Sequence, residues 1–293
     1  MRLSFSSALP LALAAIAAVS ARSTGRNTLC ANNAPVNATL EAELAVLIAA
    51  QRQRDARTAA RSFNLVPVPR MINVYLHIIT DGSRGLLSSS QIIAQMDVLN
   101  RDYAGAGYQF NLAFTERINS AVWFNTIEDD TTPSTIGMKS YLHRGGRADL
   151  NIYTVDLPAG SLGFATFPWD YAAPPKYMDG VVVDYATLPS FPAADTPFSG
   201  GRTATHEIGH WLGLFHTFQG GSCDPTDPGD YVLDTPQQQN ATSGCPSVRD
   251  TCGSPGTDLV SNFMDYSDDA CMQSFTSGQV SRMHALWVQY RGL

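Results

Sequence analysis

A chain of 293 residues with 44% hydrophobic content holds enough apolar material for one large folded unit or two small ones. Its formal charge of −7, with no basic block anywhere, argues against a nucleic-acid partner. The acidic balance reads as a solvated surface that serves solubility.

Residues 1–21 read as a secretory signal peptide: Arg2, an apolar run over residues 9–19, then the small residues Val19, Ser20 and Ala21 before a cut. The run is too short for a membrane span, and no later stretch reaches that length. The expectation is a secreted, extracellular chain with no membrane partner. Export through an oxidising route makes Cys223, Cys245, Cys252 and Cys271 read as two disulfides, with three connectivities open, and leaves Cys30 over. Asn37-Ala38-Thr39 and Asn240-Ala241-Thr242 are glycosylation sequons, placing candidate glycans on Asn37 and Asn240.

Residues 22–66 look like a pro-segment or N-terminal extension. Within it, residues 39–61 are rich in helix formers, and Leu40, Leu44, Leu47 and Ile48 make one apolar stripe at helical spacing. Pro67 and Pro69 break the pattern, so the catalytic unit is expected over residues 67–293. Residues 70–80 alternate through Ile72, Val74, Leu76 and Ile78, the signature of a strand. A helix follows over residues 88–103, with Ile92, Ile93, Met96, Leu99 and Asn100 along one side. Strands are expected at residues 110–114 and 150–155. The run Gly163-Phe164-Ala165-Thr166-Phe167, between glycine and proline, suits an edge strand. Residues 180–184 read as a buried strand from their continuous β-branched content. This order implies a mixed sheet covered by helices.

Residues 206–216 carry the pattern H-E-x-x-H-x-x-G-x-x-H. On a helix His206 and His210 leave the same face one turn apart, so both imidazoles can reach one zinc ion at about 2.0–2.1 Å. Glu207 points to the neighbouring side, within reach of a water on the ion but not ligating it. Gly213 lets the chain turn out of the helix, because glycine takes φ > 0 without a Cβ penalty. That turn returns His216 as third ligand and leaves the fourth position open, as a catalytic zinc requires. His77, His143 and His284 read as structural or surface histidines. Residues 217–262 are rich in Gly, Pro, Asp, Ser and Thr with little periodicity, an irregular stretch held by cystines. A last helix is expected over residues 277–291. Thr276 and Gln279 would form its capping box, and Val280, Met283, Leu286, Trp287 and Tyr290 its apolar face.

The zinc motif, followed by Asn262-Phe263-Met264-Asp265-Tyr266 as a methionine turn, resembles the metzincin clan of zinc endopeptidases. Together with residues 163–169 it is similar to the pappalysin family, and most to its fungal secreted extracellular metalloproteases, from about residue 70 to the C-terminus. The resemblance implies an α+β fold. A twisted mixed sheet with backing and active-site helices (upper subdomain, 67–215) would lie above a cleft, over a small irregular disulfide-bonded lower subdomain with a C-terminal helix (216–293). It implies that the edge strand at residues 163–167 pairs with an extended substrate, that Met264 forms an apolar floor under the histidines, and that the Tyr266 hydroxyl faces the metal. It also implies the disulfides Cys223–Cys252 and Cys245–Cys271. Some relatives bind calcium near this loop, where Asp224, Asp227, Asp230 and Asp234 offer oxygen donors of the right kind, although without EF-hand spacing.

The implied reaction is hydrolysis of peptide bonds in protein or peptide substrates by a monomeric enzyme with one catalytic zinc. Glu207 would serve as general base and acid, and Tyr266 would stabilise the oxyanion. Two other readings, a zinc-fold binding protein that no longer cuts and a zinc hydrolase for a non-peptide acyl or amide substrate, are disfavoured by the intact Glu207 and by the edge strand. Cys30 is a candidate latency ligand, since a thiolate in the open metal position excludes water. Cysteine switches occur among metzincins, but Thr28-Leu29-Cys30-Ala31-Asn32 lacks the glycine that typically follows the cysteine.

Overall fold

The computed structural model describes residue 30 and residues 36–61, 69–173, 175–190, 196–253 and 255–292. The expected signal peptide, the residues immediately flanking Cys30, and Pro67 lie outside the described residues. Before the sheet comes one long helix, α1 (Ala38–Arg61), whose start is capped by Asn37: its Oδ1 accepts from the amides of Thr39 and Leu40.

Five strands make one sheet. β1 (Arg70–Thr80) runs to α2 (Ser89–Asp102), which crosses to β2 (Tyr108–Asn119). β3 (Leu150–Val155), β4 (Gly163–Ala165) and β5 (Val181–Asp184) complete it in the order β2-β1-β3-β5-β4. All neighbours are parallel except β4, which runs antiparallel to β5 at the edge. Val181, Val182 and Val183 are fully buried and alternate between two apolar layers. A strand buried on both faces needs a continuous apolar run, and that is what residues 181–183 supply. Each such side chain contributes about 1.5–3 kcal/mol by leaving water.

β2 runs on to Asn119, beyond the expected residues 110–114. Its second half is polar because it forms the other sheet edge, where its pairing with β1 continues but burial does not. On α2 the inward residues are Ile92, Gln95, Val98 and Leu99, while Ile93 is largely exposed, so the expected stripe was rotated by part of a turn. Two helices escaped the sequence reading: α3 (Ala121–Asn125) and α4 (Pro133–Leu142). α4 begins with a Thr132 cap and proline in its first turn, a start signal that was present. Both cover the face of the sheet opposite the active-site helix, through Phe124, Met138 and Leu142.

The zinc-motif helix α5 (Arg202–Trp211) packs against β4, β5 and α2. The closing helix α6 (Ser277–Leu286) has the expected Thr276–Gln279 capping box, but the chain changes to a π turn over Trp287–Arg291. There Arg291, fully buried, places two nitrogens on the Asp179 carboxylate at 2.9 and 3.0 Å and lies over Trp211. The expected apolar face omitted Ala285 and the buried Ser281 and Arg282, because α1 lies against α6 through Leu44, Ile48, Ala285 and Leu286. Between α5 and α6 the chain is irregular, carrying the disulfides Cys223–Cys252 and Cys245–Cys271. No helix among the described residues is long and apolar enough to cross a membrane.

Candidate active site

Every residue from Thr203 to Trp211 is buried, so α5 is a helix surrounded by protein. It is fixed at its start by the Tyr103 hydroxyl, which donates to the carbonyl of Thr205 at 2.8 Å, and at its end by the Trp211 indole, which donates to Asp179 at 3.0 Å. The chain leaves the helix at Gly213, whose φ is +98°. A Cβ there would lie 2.2 Å from Leu286 Cδ1, so backbone conformation and space both demand glycine. The turn brings His216 against the two helical histidines.

His206 Nδ1 donates to the carbonyl of Phe263 and His210 Nδ1 to that of Leu214, each at 2.7 Å. These bonds fix the tautomer and leave both Nε2 lone pairs facing inward. His210 Nε2 lies 3.1 Å from His206 Nε2 and 3.1 Å from His216 Nε2. Burial holds all three imidazoles below their usual range, His206 to about 4, so they are neutral at pH 7. Two nitrogens bonded tetrahedrally to one ion at about 2.05 Å are about 3.3 Å apart. Lone pairs so close repel unless a cation lies between them; the donor set fits a metal ion. Among the described residues, Cys30, His206, His210 and His216 form the one group of three or more His, Cys, Asp or Glu ligand atoms close enough to share an ion, all within 4.8 Å. His77, His143 and His284 lie outside it; His77 is pinned between Glu116 and Asn151 at 2.7 and 2.9 Å.

Met264 is fully buried beside the second helical turn. A Cβ on Gly209 would stand 2.3 Å from its sulfur, which explains a glycine inside the helix that sequence reading passed over. The methionine turn is tied to α6 by Asn262 and Gln279, whose side-chain amides bond reciprocally at 2.8 and 3.0 Å. Asn262 Oδ1 also accepts from the Met264 amide.

Glu207 is fully buried, and burial pushes its carboxyl up to about 8. Its Oε2 lies 3.3 Å from Cys30 Sγ, while Oε1 is buried with no hydrogen-bond partner. Oε1 is turned toward Gly163 of β4, where a Cβ would come within 2.7 Å of Cγ and 2.8 Å of Oε1. The missing side chain at Gly163 therefore makes the space the carboxylate occupies. Gly163→Ala is expected to retain metal and overall fold but to lower kcat about tenfold or more, with KM little changed. Steady-state kinetics alongside metal analysis checks this, and an unchanged kcat rejects it.

Tyr266 is nearly buried, and its hydroxyl lies 3.3 Å from His216 Nε2. The same hydroxyl accepts from the Cys30 amide and donates to the Cys30 carbonyl, both at 3.1 Å, and Cys30 pairs in parallel with Gly163. Beside Glu207 opens a small pocket lined by Leu162, Phe198, Arg202, Thr203, Asp269 and Met272. Asp269 accepts from the amides of Gly200 and Arg202 at 2.7 and 3.3 Å, and burial raises its carboxyl to about 6. The four aspartates considered for calcium hold separate contacts, and Asp230 Oδ2 is buried without a hydrogen-bond partner. Asp224 bonds Thr226, Asp227 bonds Gly229, Asp230 bonds Val232 and Thr235, and Asp234 caps α6 through Thr276, Ser277 and Gly278.

Three buried imidazoles, two of them tautomer-locked, and a neighbouring carboxylate, set below an antiparallel sheet edge, define the site of a metallopeptidase. The family model described as peptidase M43, pregnancy-associated plasma protein-A, matches residues 150–287. An extracellular metalloprotease of Arthroderma benhamiae is 43% identical over 224 residues, covering 75% of this chain and 73% of the relative. Mature mirolysin of Tannerella forsythia, solved in complex with a cleaved peptide, superposes with a TM-score of 0.60 at 33% identity. It covers 75% of this chain and 92% of mirolysin. A promirolysin mutant from the same organism gives 0.62 at 30% identity, over 88% and 93% of the two chains. The chain belongs to the peptidase M43, or pappalysin, family, whose members act on protein or peptide substrates through a catalytic metal.

Proposed function

We propose that this chain is a secreted zinc endopeptidase made as a latent precursor, with residues 1–21 as signal peptide, residues 22–66 as pro-segment and the catalytic unit beginning near residue 67. The reading is carried by the Nε2 atoms of His206 and His216, each 3.1 Å from that of His210, beside a buried glutamate. Three neutral nitrogen ligands suit zinc and leave a coordination position open. Bound zinc supplies a Lewis acid and lowers the pKa of its water from about 15.7 to about 7.

The chain's own groups then divide the work. Glu207 takes the proton of the attacking water through Oε2, the oxygen beside the Cys30 thiol, and passes it to the leaving amine. The Tyr266 hydroxyl donates to the scissile carbonyl oxygen as that oxygen gains negative charge. Strand β4 offers its free edge to an extended peptide, as Cys30 already uses it beside Gly163. Mirolysin's capture of a cleaved peptide supports this use of the cleft. Cys30 holds the precursor latent: its thiol lies among the metal ligands, and its backbone takes up the Tyr266 hydroxyl that the reaction needs. The similarity to a promirolysin supports a pro-segment at this end of the chain. We assign no cation to the aspartates of the irregular loop.

Casein or gelatin digestion tests the proposal. The processed protein is expected to contain one zinc per chain and to lose all hydrolysis to a chelator such as 1,10-phenanthroline, with recovery on zinc addition. Hydrolysis that persists after the metal is stripped would overturn it.

A further inference from the structure

The expected pro-segment touches the catalytic unit at a second place, through α1 rather than Cys30. Glu41 on α1, 3% exposed, meets the fully buried Arg282 of α6 through two hydrogen bonds of 2.7 and 2.8 Å. The remaining nitrogen of that guanidinium donates to the carbonyl of Gly213 at 2.8 Å, and its plane lies 5.0 Å from the Phe215 ring. One turn on, Leu44 and Ile48 are buried on Ala285 and Leu286, with Trp169 and Tyr290 packed alongside. Further along, Asp55 comes within 3.4 Å of His284. The helix thus presents an acidic residue and an apolar stripe to a face offering a buried cation and an apolar floor.

We propose that this face is a binding site for α1 that works without the covalent link and without Cys30, so that the helix stays docked as a noncovalent subunit after the chain is cut between α1 and β1. Taking residues 22–66 as the pro-segment, the consequence is specific. A docked α1 keeps Cys30 close to the metal ligands at high effective concentration, so a cut after α1 does not by itself release the site. Release requires a cut between Cys30 and α1, or loss of α1 from its face. The physical reason is the ion pair. Two charges removed from water are held only by each other and by fixed hydrogen bonds, so taking Glu41 away strands Arg282 as an uncompensated buried cation. Loss of the whole helix also bares Leu286, which backs the turn at Gly213.

The test uses the full chain with Glu207→Ala, so that it cannot process itself, and with a recognition sequence for an exogenous protease placed between Arg61 and Arg70. After cutting, gel filtration with chelator present is expected to show the α1 fragment still bound, and Cys30→Ala should not change this. A synthetic peptide of residues 36–61 should displace the fragment, whereas the same peptide with Glu41→Ala should be weaker by about 100-fold or more. The peptide arm requires no variant of the catalytic unit to fold. A fragment that separates on cutting, or a Glu41→Ala peptide that competes as well as the parent, overturns the proposal. Because binding is the readout, its failure would leave the protease reading untouched.

Discussion

Replacing Glu207 with alanine is expected to leave one zinc per chain and to reduce peptide hydrolysis by about 1,000-fold. Glu207 is not among the converging ligand atoms, so its loss removes none of the metal's grip. Its carboxyl is the group placed to accept the proton of the attacking water, and a positioned general base contributes about 10²–10⁴-fold. The shortened side chain also leaves Gly163 facing a void, a minor packing loss at a position already without a Cβ. Tyr266→Phe should cost less, about tenfold, since zinc shares the stabilisation of the developing charge. Zinc content by elemental analysis and kcat/KM on a fluorogenic peptide separate these effects. A Glu207→Ala enzyme that turns over at the wild-type rate would remove Glu207 from the mechanism.

What the chain announces in advance is its chemistry more than its architecture. The spacing of His206, His210, Gly213 and His216 bears directly on where three side chains lie, because helix pitch and one left-handed glycine are local properties. Strands β1, β3 and β5 were readable for a similar reason: burial on one or both faces writes itself directly into residue type. The far half of β2 was not, since an edge strand paired on one side alone needs no apolar content. Side chains that act across the fold were equally silent. Gly209 is a glycine because of a sulfur 55 residues away, and Gly163 because of the Glu207 carboxylate. The node formed by Asp179, Trp211 and Arg291 joins three separate segments, and no periodicity in any of them foretells it. Glu41 pairs with the buried Arg282 across 241 residues of chain, and nothing in the helix start marks it. Pairings of this kind belong to tertiary structure, and a single sequence carries no trace of them.

Cys30→Ala, made in the otherwise unaltered full-length chain, should convert an inert precursor into one that hydrolyses a fluorogenic peptide before any processing, with a rise of roughly tenfold or more. The thiol lies 3.3 Å from Glu207 Oε2 and within the ligand group, so it stands where an attacking water must stand. Alanine cannot ligate a metal and donates nothing to the carboxylate. The gain should nevertheless stop short of the activity of the processed enzyme. Residue 30 would still offer its amide and carbonyl to the Tyr266 hydroxyl, still pair with Gly163 on the sheet edge, and still be tethered to α1. On the proposed reading, latency would be divided between a side chain that blocks the metal and a backbone that occupies the substrate's edge and the Tyr266 hydroxyl. Cys30→Ser separates the two contributions further, since its hydroxyl can bond Glu207 but ligates zinc poorly. Initial rates measured before any self-cleavage, with processing followed on the same samples by gel, give the comparison. A Cys30→Ala precursor as inert as its parent would assign latency entirely to the backbone and to α1, and would take the thiol out of the account.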